Sequence, residues 1–274
     1  MKLTASLAQV YPRLGDIEYN VKRHIEISRE VKGKSQLLVF PELSLTGFNL
    51  MDLTVDIAQK KDSILLNPLL EVSKDVDIIL GLVELGEDRN LYDSAFYYSD
   101  SSLKYVQRKL FLTANQRGVG YFAGGDRIDV IDTRFGKLGI VIGEDLLNPM
   151  GIIPLVKKGA EILVVVSNSV STGYSSGKVG IPKSALKWRN LLSLYAQLCS
   201  IYVVYVNRVG FEDGLNFFGG SCVIDPYGEF VVDCPYFEES IIHIKLDLEP
   251  HGKPSHFFDF YRLYRLMMEN TYED

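Results

Sequence analysis

Cysteine is scarce in this chain, and its scarcity excludes a good deal. The 274 residues hold three cysteines, Cys199, Cys222 and Cys234. Three make no disulfide framework, and no Cys-x-x-Cys pair exists, so a reducing, cytoplasmic setting is expected. Histidine is nearly as rare. None of His24, His243, His251 and His256 stands at metal-ligand spacing with another ligand type, so no metal and no cofactor is expected. His24 falls within a helical pattern and is expected on its surface or flank. No apolar run is long enough to cross a bilayer. An excess of positive charge is missing too. The formal net charge is -6, which argues against nucleic acid or an anionic membrane as main partner. Met1-Lys2-Leu3-Thr4 runs straight into a strand-like alternation, so no leader peptide is expected. Linkers, low-complexity tracts and internal repeats are also lacking.

What is present is ample core material. Hydrophobic residues make up 47% of the chain, enough for one large α/β domain or two small ones. Strand and helix patterns alternate from the start. Leu3 to Val10 reads as a strand. Asp16 can cap a helix from Ile17 to about Val31, with Ile17, Val21 and Ile25 on one face. Leu37 to Phe40 is a short continuous apolar run, as suits a strand covered on both faces. Ile57 to Val72 reads as a second helix, interrupted near Pro68. Strands over Val76–Leu85, Asn90–Tyr98 and Lys104–Lys109 lie close enough for antiparallel pairing. Ile128–Asp132 and Leu138–Ile142 read as a hairpin, and Met150–Lys158 as a short helix. Ile162–Val166 is a buried strand. Ser184–Leu198 is the strongest helix, with Ala185, Trp188, Leu192 and Tyr195 near helical spacing. Ile201–Val206 is a further buried strand, and Ser221–Ile224, Glu229–Asp233 and Ser240–Ile244 follow as strands. Two sheets with helices outside them is the simplest layered solution.

Three residues with chemical potential fall at strand ends, where sites in α/β sheets gather. Glu42 follows the run ending at Phe40-Pro41, and proline cannot donate to a ladder. Lys109 ends another strand pattern, and Gly143 follows Ile140-Val141-Ile142. Alone, Glu42 and Lys109 would each read as solvated surface residues. Together the three form a constellation. Ser167 and Ser169 follow the Val164-Val165-Val166 run and are candidates for lining the same pocket. Asn115-Gln116-Arg117-Gly118 and Ser171 to Lys178 are candidate pocket loops. The second lacks the spacing and ending of a phosphate-binding glycine loop.

The segments Val39-Phe40-Pro41-Glu42-Leu43-Ser44-Leu45-Thr46-Gly47, Tyr105 to Leu112, Tyr121-Phe122-Ala123-Gly124-Gly125, Gly143-Glu144-Asp145-Leu146, Tyr205 to Gly210, Phe218-Gly219-Gly220-Ser221 and Asp225-Pro226-Tyr227-Gly228 occur in this order. On them the chain resembles the nitrilase superfamily of carbon–nitrogen hydrolases, and within it the glutaminase domain of glutamine-dependent NAD synthetase. The resemblance runs from Leu3 to about Leu246. It implies a four-layer α-β-β-α sandwich over residues 1–246, usually assembled into oligomers. Residues 247–274 would be a C-terminal extension, and the aromatic stretch Phe257 to Tyr272 is expected at a subunit contact.

In that family a glutamate takes the proton of a cysteine thiol, and the thiolate attacks an amide or nitrile carbon. A lysine ammonium and a backbone N–H stabilise the developing charge. The resemblance assigns the base position to Glu42, the lysine position to Lys109 and the nucleophile position to Gly143, which has no side chain. It implies Arg117, Glu144, Ser167 and Ser169 as substrate-binding. A second departure falls at Gly118, where the family usually carries another glutamate. With Arg117 nearby, that loss is expected to favour an anionic ligand. Cys199, Cys222 and Cys234 read as small buried hydrophobes rather than substitute nucleophiles. The expectation is a catalytically impaired homologue that binds a small amide or carboxylate ligand. It would form a homo-oligomer or serve a separate synthetase subunit, whose ATP-dependent half is not expected after residue 246. The alternatives are an active amidase with another nucleophile and a purely structural subunit.

Overall fold

The computed structural model describes residues 2–112, 116, 120–173 and 181–248, and in the tail 262, 265, 266 and 269. In chain order the strands are β1 (Lys2–Gln9), β2 (Leu37–Val39), β3 (Asp77–Leu85), β4 (Leu91–Ser99), β5 (Ser102–Arg108), β6 (Val130–Thr133), β7 (Gly136–Ile142), β8 (Ile162–Ser167), β9 (Tyr202–Asn207), β10 (Val209–Glu212), β11 (Leu215–Phe218), β12 (Cys222–Ile224), β13 (Phe230–Asp233) and β14 (Ser240–Asp247). The described helices are α1 (Ile17–Val31), α2 (Leu53–Ile57), α3 (Asn67–Val72), α4 (Pro149–Lys157) and α5 (Lys183–Cys199), with 3₁₀ turns at Ile64–Leu66 and Gly143–Leu147.

Two six-stranded sheets result, ordered β14-β1-β2-β3-β4-β5 and β13-β12-β9-β8-β7-β6. Strand alternation explains how they stack. Along β8, Ile162, Val164 and Val166 join Leu3, Ala5 and Leu7 of β1 in the core between the sheets. Leu163 and Val165 turn the other way, onto Leu192 and Ala196 of α5 and Leu155 of α4. On the far side, Ala8, Leu38 and Leu80 pack against Ile17, Val21 and Ile27 of α1 and Leu69 of α3. The continuous apolar runs in the sequence are therefore strands buried on both faces. The architecture is a four-layer α-β-β-α sandwich. Among the described residues no helix is long and apolar enough to cross a membrane.

Two expectations are corrected, and one hairpin is added. The stretch Ile57–Val72 is not one interrupted helix. Gln59 pairs with the sheet instead, its N–H donating to Val83 O and its carbonyl accepting from Leu85 N–H, and helix resumes only where Pro68 can sit in a first turn. The hairpin of β10 and β11 carries no periodicity that single-sequence reading separated from loop. His24 is not on the surface. It is 2% exposed and stacks on Phe40 at 3.8 Å between ring centroids. Its Nδ1 donates to Asn20 O at 2.7 Å, leaving Nε2 to accept from Ser44 Oγ at 2.9 Å. The aromatic tail from Phe257 to Tyr272 lies outside the described residues apart from Arg262, Arg265, Leu266 and Glu269, which are helical.

Two buried polar clusters hold the loops around the strand ends. Ser44 also accepts from Gly81 N–H at 3.3 Å, tying the turn after β2 to β3 through His24. A Cβ at Gly81 would stand 2.2 Å from Leu43 N and 2.7 Å from Glu42 C, so only glycine lets this turn lie against the sheet. On the opposite flank Arg208 is fully buried, and its Nη1 donates to Glu212 Oε2 at 2.6 Å. Glu212 Oε1 accepts from the backbone N–H groups of Phe48 and Asn49.

Burial pushes the His24 pKa from 6.5 down to about 3. The folded state therefore keeps His24 neutral while the unfolded chain gains a proton below pH 6.5. Stability should fall as pH drops from about 6.5 towards 3, by about 1–2 kcal/mol between pH 6.5 and 5 from this residue. Urea unfolding of the wild type and His24→Gln at both pH values checks this, since the variant should lack that share of the slope. Glu212→Ala should cost about 3–5 kcal/mol in the same assay, because it leaves Arg208 charged and unpaired in the interior.

Candidate functional site

The ends of β2, β5 and β7 converge, and the residues that follow them meet. Lys109 comes directly after β5, its backbone N–H donating to Asp93 O and its carbonyl accepting from Gly125 N–H. Its side chain is 1% exposed. The ammonium Nζ donates to Glu42 Oε1 at 2.7 Å and to Glu144 Oε2 at 2.8 Å, with Asp93 Oδ2 at 3.8 Å. Glu42 Oε2 accepts from Asn168 N–H at 2.9 Å. Asp145, next to Glu144, accepts from Leu110 N–H at 2.9 Å and Phe111 N–H at 2.7 Å. That bond pair clamps the loop carrying Lys109 onto the 3₁₀ turn after β7.

Gly143 opens this 3₁₀ turn at φ +47°, in the left-handed region. Its neighbours are close. An ideal Cβ there would lie 2.7 Å from Glu42 Oε2 and 3.2 Å from Lys109 Nζ. The Glu42 carboxylate thus occupies the approach a side chain at position 143 would need, and Lys109 and Asn168 hold it there.

Electrostatics follow from the buried Lys109 ammonium set among several acids, with Lys187 acting more weakly on Glu144. Burial raises the Glu42 pKa well above the ordinary carboxylate value. Lys109 opposes that shift, and the neighbouring Asp93 and Glu144 add to it. Asp93 is also raised by burial. On its own, burial would lower the Lys109 pKa, but the carboxylates of Glu42, Glu144 and Asp93 hold it well above its ordinary value. For Glu144 burial pulls upward and the bond from Lys109 wins, leaving it lowered. Asp145 is pushed up to about 7 by burial, against its two backbone donors. Such an array can hold or move a proton near neutral pH and can present an ammonium to a ligand oxygen.

Of the residues singled out in the sequence, Glu42, Lys109, Gly143 and Glu144 come together here. Ser167 and Ser169 do not join them. Their hydroxyls bond each other at 2.7 Å, and Tyr205 O–H donates to Ser167 Oγ at 3.4 Å. Arg117 and Gly118 lie outside the described residues, as does most of the 171–178 loop. Asp93, Asp145 and Asn168 were missed, whereas Gln116 belongs to a candidate pocket loop. Gln116 Nε2 donates to Asp93 Oδ2 at 2.9 Å. Asp93 had a legible signal: a lone carboxylate inside Leu91-Tyr92-Asp93-Ser94-Ala95-Phe96-Tyr97-Tyr98, a stretch otherwise suited to burial, must find a partner.

Comparison with known proteins agrees with this architecture. Residues 4–252 match the carbon-nitrogen hydrolase family. Glutamine-dependent NAD(+) synthetase of Thermotoga maritima is 32% identical over 262 residues, which cover 93% of this chain and 44% of that protein. The (R)-stereoselective amidase of Pseudomonas sp. is 30% identical over 266 residues, covering 96% of this chain and 91% of the amidase. Glutamine-dependent NAD+ synthetase from Acinetobacter baumannii, solved in complex with ADP, superposes with a TM-score of 0.79 at 26% identity, covering 96% of this chain and 50% of that one. The chain thus spans about half the length of the synthetases it matches and nearly all of the amidase. With the family match across most of its length and relatives at 30% identity or more, this chain belongs to the carbon–nitrogen hydrolase family.

Proposed function

We propose that the chain binds a small amide at the Glu42–Lys109–Gly143 site and forms no covalent intermediate there. The observation that carries this reading is the contact between Glu42 Oε2 and Gly143. The position the family resemblance assigns to the nucleophile has no side chain, and the base lies where one would begin. The cysteines offer no substitute. Cys199 ends α5 and Cys222 opens β12, both within the core that α5 covers. Burial pushes the thiols of Cys199 and Cys234 up to about 12, and that of Cys222 higher still. These are inert thiols rather than thiolates. Ser167 and Ser169 bond each other, and among the described residues no carboxylate or imidazole bonds either hydroxyl. The charge balance supports an amide over a carboxylate. Glu42, Asp93 and Glu144 surround the single ammonium of Lys109, so an added anion would meet repulsion. An origin in amide recognition accords with the amidase and synthetase relatives. Service to a separate synthetase, and assembly into homo-oligomers, extend the same proposal.

Binding without turnover is directly measurable. A primary amide such as propionamide should raise the melting temperature with the logarithm of its concentration above Kd, by about 2.7 kcal/mol of stability at 100 times its Kd. Ammonia should not accumulate. Ammonia release by the unaltered chain that disappears in Glu42→Gln would sink the reading, and so would the absence of any amide-induced shift.

Position 143 itself gives a second test. Gly143→Ala and Gly143→Cys should each lose about 1–3 kcal/mol in urea unfolding, from left-handed backbone strain and displacement of Glu42. A neutral effect would mean that Glu42 yields freely, and that the site is not built around glycine.

A further inference from the structure

We propose that Asn168 is a specificity-determining residue of this site. In this proposal its side-chain amide, with the free oxygen of Asp93, reads the N–H groups of a primary amide. The inference rests on the amide-binding reading above.

Asn168 follows β8 directly and is 5% exposed. Neither Oδ1 nor Nδ2 has a hydrogen-bond partner, and Asp93 Oδ1 has no donor, with the Glu42 carboxyl beside it. Buried polar atoms in folded proteins are nearly always paired, because an unpaired one forfeits its hydration for nothing. Three orphan atoms, all on residues of one site, call for a ligand that pairs them.

Asn168 is set against the site by its backbone. It lies one residue past the end of β8, between Ser167 and Ser169, and its N–H donates to Glu42 Oε2 at 2.9 Å.

The orphan inventory defines the ligand group. Asp93 Oδ1 and Asn168 Oδ1 accept, and Asn168 Nδ2 donates. A primary carboxamide supplies the converse set, N–H donors and a carbonyl acceptor. A tertiary amide has no N–H. A carboxylate has no donor either and meets Asp93, Glu42 and Glu144.

The test compares propionamide, N,N-dimethylpropionamide and propionate by thermal-shift titration of the full chain and of Asn168→Leu, a change that keeps the branching and heavy-atom count of the side chain. The unaltered chain should bind propionamide about tenfold more tightly than the dimethyl amide, the scale of a lost buried hydrogen bond. In Asn168→Leu that ratio should fall to within about twofold, while the ligand-free variant melts at or above the wild type, since it no longer buries an unpaired amide. A merely structural asparagine would instead lower the ligand-free melting temperature and leave the ratio alone, and either result overturns the proposal. If no amide stabilises the unaltered chain, the amide-binding reading fails and this one with it. If propionamide binds and Asn168→Leu keeps the preference, this proposal alone fails.

Discussion

The ammonium of Lys109 must be paired, and much of the architecture around it follows from that need. A lysine with a 1% exposed side chain cannot remain charged without carboxylates in contact. Glu42 and Glu144 make that contact from the ends of two different sheets, and Asp93 adds a third carboxylate from within β4. The site is thus a place where the two sheets are held together electrostatically at their strand ends. A surplus of acid over base follows, and burial turns the surplus into raised affinity for protons at Glu42, Asp93 and Asp145.

The surrounding shell makes that pairing possible. Gly81 lets the Glu42 turn rest on β3, and His24, kept neutral by burial, bridges to the same turn through Ser44. Arg208 and Glu212 hold the 48–49 backbone from the opposite side. These groups stand outside the Lys109 cluster and act on it through backbone. Glu42 and Lys109 follow strands of one sheet and Glu144 follows β7 of the other, so a shift of one sheet against the other would separate Lys109 from Glu144. A close-packed core between the sheets prevents such shifts.

Family membership rests on the frame of this protein, and the proposed binding without turnover rests on one position within it. The carbon–nitrogen hydrolase fold spans the chain, and the base and lysine positions keep their residues in contact. The position between them holds glycine with the base pressed against it. A fold preserves a site's frame far more readily than its reaction, because the frame depends on many apolar contacts and the reaction on a few atoms.

Much of the fold could be read from the chain alone. Apolar runs such as Ile162–Val166 marked strands buried on both faces, and helical spacing marked α1 and α5, because periodicity is a local property. Glu42, Lys109 and Gly143 were legible as strand-end residues, with family resemblance supplying their roles. Other features were not. The Ile57–Val72 stretch has helical composition, yet Gln59 is captured by the β3 edge, a partner distant in sequence. His24 read as a flank residue because nothing local announces that Phe40 will stack on it. Asp93 and Asn168 entered the site only through tertiary placement. The sequence by itself determined which segments are strands and helices and which faces they bury, since those follow from the order of side chains along one segment. Only the tertiary structure decided which carboxylates share one lysine, that Glu42 closes over Gly143, and that Asn168 is left unpaired, since those depend on where separate segments meet.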